Sequence, residues 1–204
     1  MSILSLFSPF AWIRRLISLI FLLVLGFFIY CGYLVYSASQ LPTSVAGLKP
    51  ASTIFIVDPA SSSTQLSSDT INRLNQAINV YAADPARHVM LVGKGESITF
   101  AKEYLLANKI PSHKLKVLPS ASLPTAFADL AGNKSLGSGL ITVVADALQA
   151  DYIENIAADN NLKVQISPAI NSEGFSLSWL AQLAQESSAV AVGKVIGFTR
   201  VDWG

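Results

Sequence analysis

Gly93-Lys94-Gly95 stands at the end of an apolar run and directly ahead of a helical pattern, within LVGKGESITFAKEYLLANKIP. A glycine turn between strand and helix lets backbone N–H groups approach a phosphate, and a lysine there supplies a point charge. The stretch GKGES departs from the P-loop pattern G-x-x-x-x-G-K-[ST], so nucleotide hydrolysis finds no support. The plainer reading is a tight strand-to-helix turn with a solvated lysine. Asp58 and Asp146 each close a strand-like run. Two carboxylates at one sheet edge fit acid–base work, but an Asp in that position also caps the turn that follows, which is the preferred reading. Ser122 and Thr125 could join Gly93, Lys94 and Gly95 around an anion, while Ser61-Ser62-Ser63 reads as a solvated loop. His88 and His113 sit near strand beginnings without a cysteine or carboxylate cluster at metal spacing, so neither a metal nor a cofactor is expected. No G-x-S-x-G elbow is present. Trp179 and Trp203 suit either a binding surface or packing near the C-terminus.

The elements that position these residues follow from hydrophobic periodicity. TIFIVD (Thr53 to Asp58), HVMLV (His88 to Val92), KLKVL (Lys114 to Leu118), LITVVA (Leu140 to Ala145) and KVQIS (Lys163 to Ser167) read as strands. Continuous apolar runs of this kind suit strands buried on both faces. Between them lie helical patterns. Ile71, Leu74, Ile78 and Tyr81 recur at helical spacing behind a cap at Ser68 or Asp69. Ile98, Ala101, Tyr104 and Leu105 form a second such face. Further helices are expected around Thr125 to Ala131, over LQADYIENIAADNN, and from Phe175 or Ser176 toward Thr199. The alternation predicts an α/β, Rossmann-like domain with a mostly parallel sheet flanked by helices. Ligands in such folds bind beyond the carboxyl ends of the strands, where Asp58, Gly93 to Gly95, Ser120 to Thr125 and Asp146 would gather.

Half of the chain (51%) is hydrophobic and only 13% is charged, and the excess sits at the front. LISLIFLLVLGFFIYCGYLVY, Leu16 to Tyr36, carries no charge and as a helix spans roughly 30 Å, the thickness of a bilayer core. It predicts one N-terminal transmembrane helix. Arg14 and Arg15 precede it and no basic residue follows until Lys49, which places residues 1–15 in the cytoplasm and the remainder outside. The run is long for a cleaved signal peptide, although YSAS (Tyr36 to Ser39) offers small residues, so an uncleaved signal anchor is preferred. Bulky Ile29 and Tyr30 ahead of Cys31 argue against a lipoprotein site and for a membrane-buried thiol. As the one cysteine, it leaves the outer domain without an internal disulfide. The division expected is an anchor over 16–37, a Ser-, Ala- and Pro-rich tether over 38–52, and an extracytoplasmic domain over 53–204. Gln182, Gln185, Glu186, Ser187 and Ser188 interrupt the last helix and exclude a second span. Apart from Arg14 and Arg15, the 14 Lys and Arg and the 13 Asp and Glu are all in the outer part, which is close to neutral. Without a basic stripe, nucleic acid is not an expected partner.

The order of pieces resembles the SanA/ElyC/YdcF-type family of bacterial envelope proteins. RLNQAINVY fits the family's R-x-x-x-A-x-x-hydrophobic-Tyr helix at Arg73, Ala77, Val80 and Tyr81. VMLVGKG…AKEYLLANKIP is similar to its strand, SGG turn, helix and GVP ending. LPSASLPTAFA takes the place of the S-x-N-T-x-E-N loop, and LITVVADALQADYIENIAADNNLKVQISPA that of the VTS-x-x-H-x-x-RA strand and helix. The likeness runs from Thr53 to Leu183. The departures fall on the polar groups. The first glycine cluster is replaced by Asp58-Pro59-Ala60-Ser61, and the serine of the SGG turn by Val92 or Gly93. Ser122 and Thr125 remain, while the two asparagines and the glutamate fall on Pro124, Ala128 and Phe127. The histidine and arginine fall on Leu148 and Asp151. The resemblance therefore implies a degenerate member that keeps the fold and has lost the chemistry, with Lys94 in the remnant of a binding loop. The expected function is a membrane-anchored, non-catalytic accessory or scaffold protein in envelope biogenesis, with the lipid bilayer and a membrane protein as partners. An enzyme acting on a phosphate-bearing, lipid-linked precursor and a small-ligand sensor are the alternatives.

Overall fold

The computed structural model describes residues 9–57, 66–84, 88–93, 96–120, 122–133, 136, 139–169 and 176–200. Five parallel strands form the sheet: β1 (Thr53–Val57), β2 (His88–Gly93), β3 (Leu115–Pro119), β4 (Leu140–Asp146) and β5 (Lys163–Ala169). Their order is β3-β2-β1-β4-β5, with parallel register at every pairing. The chain is thus an α/β protein of Rossmann-like topology. The strand order reverses between β1 and β4, and a crevice is expected there at the carboxyl ends. β1 is buried along its whole length, as a central strand covered on both faces must be. β3 lies at an edge and exposes Lys116, Val117 and Pro119, which explains its weak sequence pattern.

Among the described residues six α-helices accompany the sheet: α1 (Pro9–Ala38), α2 (Ser68–Ala83), α3 (Ser97–Ala107), α4 (Leu123–Gly132), α5 (Ala150–Asp159) and α6 (Leu177–Ile196). On one face, Ile54, Ile56, Val89, Leu91 and Val144 pack with Leu74, Ala77 and Val80 of α2 and Ala101 and Leu105 of α3. On the other, Phe55, Val57, Val143 and Ala145 pack with α4, α5 and α6, and the Phe55 and Phe127 rings lie 5.1 Å apart. The cap of α2 is Ser67, one residue earlier than the sequence pattern suggests, with its hydroxyl accepting from Thr70 N. Ser176 caps α6 in the same way through Trp179 N.

α1 is one unbroken helix, and over Trp12–Ala38 it is long and apolar enough to cross a membrane. Its large side chains from Trp12 to Leu25 are exposed. Beyond them, Cys31 and Val35 are fully buried in the core shared with α4, α5 and α6, and Phe27 and Ala38 pack against it. These positions recur at helical spacing, so a single stripe of the helix enters the domain. Cys31 is therefore covered by protein. Residues 39–52 lie along the domain: Gln76 Nε2 donates to the Thr43 carbonyl at 2.8 Å. Lys49 exchanges backbone bonds with the Gln165 amide at 3.1 and 2.7 Å.

α6 runs antiparallel to α1. Trp179 meets Tyr36 edge-to-face at 6.4 Å, and further along Gly32 lies against Ser187. Trp179 thus packs against the apolar helix. Gly197 ends α6 at φ +93° and ψ 138°, with its N–H bonded to the Gly193 carbonyl at 2.8 Å. That geometry turns the Phe198 ring back over Gly193, where a Cβ would collide with it. Gly197→Ala is expected to cost about 1–3 kcal/mol, because a side chain is strained at that φ. A fall in the urea midpoint at unchanged slope measures it.

Candidate functional site

The crevice between the ends of β1 and β4 is met from both faces of the sheet. From α2, the buried Arg73 donates through Nη1 to the Val57 carbonyl, the last residue of β1, at 3.0 Å. Arg73 lies one face of α2 round from the apolar positions that hold the helix down, so its guanidinium reaches over the strand end. At the end of β4, Asp146 caps the 3-10 turn Ala147–Gln149, with Oδ1 accepting from Leu148 N at 2.9 Å. Its Oδ2 accepts from Gln182 Nε2 of α6 at 3.1 Å. One turn further along α6, Glu186 accepts from Gln149 Nε2 at 3.3 Å. Beside this group, Gln76 of α2 donates to Ser167 Oγ of β5 at 2.9 Å.

Glu186 is 8% exposed. Burial pushes its carboxyl up to about 7; the Gln149 hydrogen bond opposes the shift, the negative charge of Asp146 adds to it, and Arg73 opposes it. A carboxyl at that value can exchange protons near neutrality, the property wanted in a general acid or base. The surroundings are closed, however, because both carboxylates spend their hydrogen bonds on the chain's own amides. Gln149 Oε1 is buried without a partner among the described residues. A neutral Glu186 has a proton to offer, and exchanging the ends of the Gln149 amide would bring that oxygen to it.

The other residues expected at the site divide. Gly93 is the last residue of β2; it pairs with Pro119, and its carbonyl accepts from Ser120 N at 3.2 Å. Asp58, Lys94, Gly95, Ser61 to Ser63 and Trp203 lie outside the described residues. Ser122 caps α4, accepting from Thr125 N at 3.4 Å, and the two hydroxyls are 3.0 Å apart. Together with Pro124, Ala128, Thr199 and Arg200 they line a hollow of about 350 Å³. Among the described residues no hydrogen bond joins this hollow to Asp146. His88 and His113 are exposed, and no group of three metal-ligating side chains occurs among the described residues.

Sequence reasoning singled out Asp146, and its capping role is the one observed. It missed Gln149, Gln182 and Glu186 as members of one cluster, and it used Arg73 only as a motif position. The available signal was the spacing of Gln182 and Glu186, four apart on one helical face. The sequence matches no protein-family model, no curated protein and no solved structure.

Proposed function

We propose that the chain is a membrane-anchored, non-catalytic accessory or scaffold protein of the bacterial cell envelope, with its α/β domain on the extracytoplasmic side. The observation that carries this reading is the occupied crevice. Where a Rossmann-like fold ordinarily takes a ligand, Arg73 is bonded to Val57, Gln182 to Asp146 and Gln149 to Glu186. A domain fixed to an apolar helix, with its own described side chains bonded across the crevice between β1 and β4, is suited to present surfaces to a neighbour in the membrane. The arginine pair ahead of the helix supports a cytoplasmic N-terminus, and a reporter fused after Gly204 that proved cytoplasmic would reverse that topology.

The test is purification of the full chain from membranes in mild detergent. A defined membrane protein should accompany it in fixed ratio, and should still do so with Lys94→Ala and Asp146→Asn. The asparagine keeps an oxygen for Leu148 N and so leaves the turn capped. If the purified chain instead turned over a phosphate-bearing lipid precursor, and Lys94→Ala abolished the turnover, the enzyme reading would replace this one.

A further inference from the structure

We infer that the domain is seated in the surface of the bilayer, with the end of α6 in the headgroup layer of the leaflet that α1 leaves. This rests on the reading that α1 spans a membrane. The first reason is length. From Leu16, just after the arginine pair, to Gly26, just before the first residue packed on the domain, the helix rises only about 15 Å. A bilayer core is about 30 Å thick. Because Cys31 and Val35 are held inside the domain, the helix has no slack to take up the difference, and the domain must approach the lipid.

The second reason is what the domain offers there. Since α6 is antiparallel to α1, it advances from Ser187, level with Gly32, toward the bare half of α1. By Ile196 it has gone about 13 Å further. Val195 is 73% exposed at that point and Ile196 47%, and Lys194 stands in the same last turn. Apolar side chains with a neighbouring lysine that can reach outward are the composition of an interfacial helix end. Tyr30, the first tyrosine after the bare half of α1, is exposed, and tyrosine concentrates at the membrane–water boundary.

The seat is shallow. Phe198 N donates to the exposed Asp159 carboxylate at 3.1 Å, and Asn160 and Asn161 follow directly, so polar groups stand just behind Ile196. A depth of about 5–10 Å, the headgroup and acyl boundary, accommodates both, and local thinning of the bilayer with outward reach of Arg14 and Arg15 takes up the rest of the shortfall.

An environment-sensitive NBD fluorophore on introduced cysteines of the full chain tests this in phosphatidylcholine–phosphatidylglycerol proteoliposomes. Cys31 is fully buried, and the unsubstituted chain controls for its labelling. The sites are Val195→Cys, Ile20→Cys within the span, and His113→Cys on the exposed turn before β3. Probes at 195 and 20 should emit to the blue of the probe at 113. Phosphatidylcholine spin-labelled near the headgroup should quench the probe at 195 severalfold more than that at 113. A water-like probe at 195 with a lipid-buried probe at 20 overturns the seat and leaves the span intact. A water-like probe at 20 overturns the span itself. A blue-shifted probe at 195 that spin-labelled lipid fails to quench means protein, such as a second copy of the chain, covers the patch, and also overturns the inference.

Discussion

Arg73→Ala is expected to destabilise the protein by about 2–3 kcal/mol, a large part of the stability of an ordinary domain. The guanidinium is 6% exposed and bonded to the terminal carbonyl of the central strand. Truncation leaves that carbonyl without its donor, removes the cation that favours the Glu186 carboxylate, and opens space between α2 and the strand ends. Lysine should restore little, because an ammonium on a flexible stem cannot reproduce a planar fork of donors. Urea unfolding of the detergent-solubilised chain measures the loss, and a change below about 1 kcal/mol would show that Arg73 does not close the crevice. Combining Arg73→Ala with Glu186→Gln should cost less than the separate effects added, since the two groups interact.

The parts of this architecture that were legible in sequence are those where local pattern and burial coincide. TIFIV and LITVVA announce central strands because a strand covered on both faces must be apolar at consecutive positions. The cap at Asp146 was legible because an aspartate directly after such a strand has a turn to satisfy. The insertion of Cys31 and Val35 into the domain was not, because lipid and protein core demand the same apolar surface, and hydropathy cannot separate them. Nor was the docking of residues 39–52, where Lys49 and Gln165 are 116 positions apart. Gln182 and Glu186 read as polar interruptions of an apolar helix. Their role depends on β4 and the 3-10 turn lying beneath them, a relation that no spacing within α6 contains. Ser67 displaced Ser68 as the cap of α2 for a similar reason: both are serines, and only the backbone turn decides which hydroxyl reaches the free N–H groups.

α6 is the element common to these observations. Through Trp179 and Ser187 it holds α1, and through Gln182 and Glu186 it holds the ends of the strands. The same helix therefore joins the long apolar helix to the polar cluster at the topological switch. Loss of polar closure should loosen that junction as well as the sheet.

Glu186→Gln is expected to stabilise the protein above pH 7 by about 3 kcal/mol and to change little below pH 4.5. The folded carboxyl titrates near 7 against an ordinary value of 4.5. Between those values the unfolded chain has released its proton while the folded chain retains it. Stability therefore falls as pH rises through this window, and the penalty is complete above about 7. The groups facing Glu186 set its size. Burial and Asp146 raise the carboxyl value, and Gln149 and Arg73 lower it. Glutamine keeps an oxygen for Gln149 Nε2 and brings an N–H₂ donor that can serve the unpartnered Gln149 Oε1. Unfolding free energies from pH 4 to 9 should slope downward for the unsubstituted chain between about 4.5 and 7 relative to Glu186→Gln. Parallel curves would mean that Glu186 ionises as freely in the folded protein as in the unfolded one. In that case the crevice would have to admit water, and its closure by the chain's own side chains could not stand.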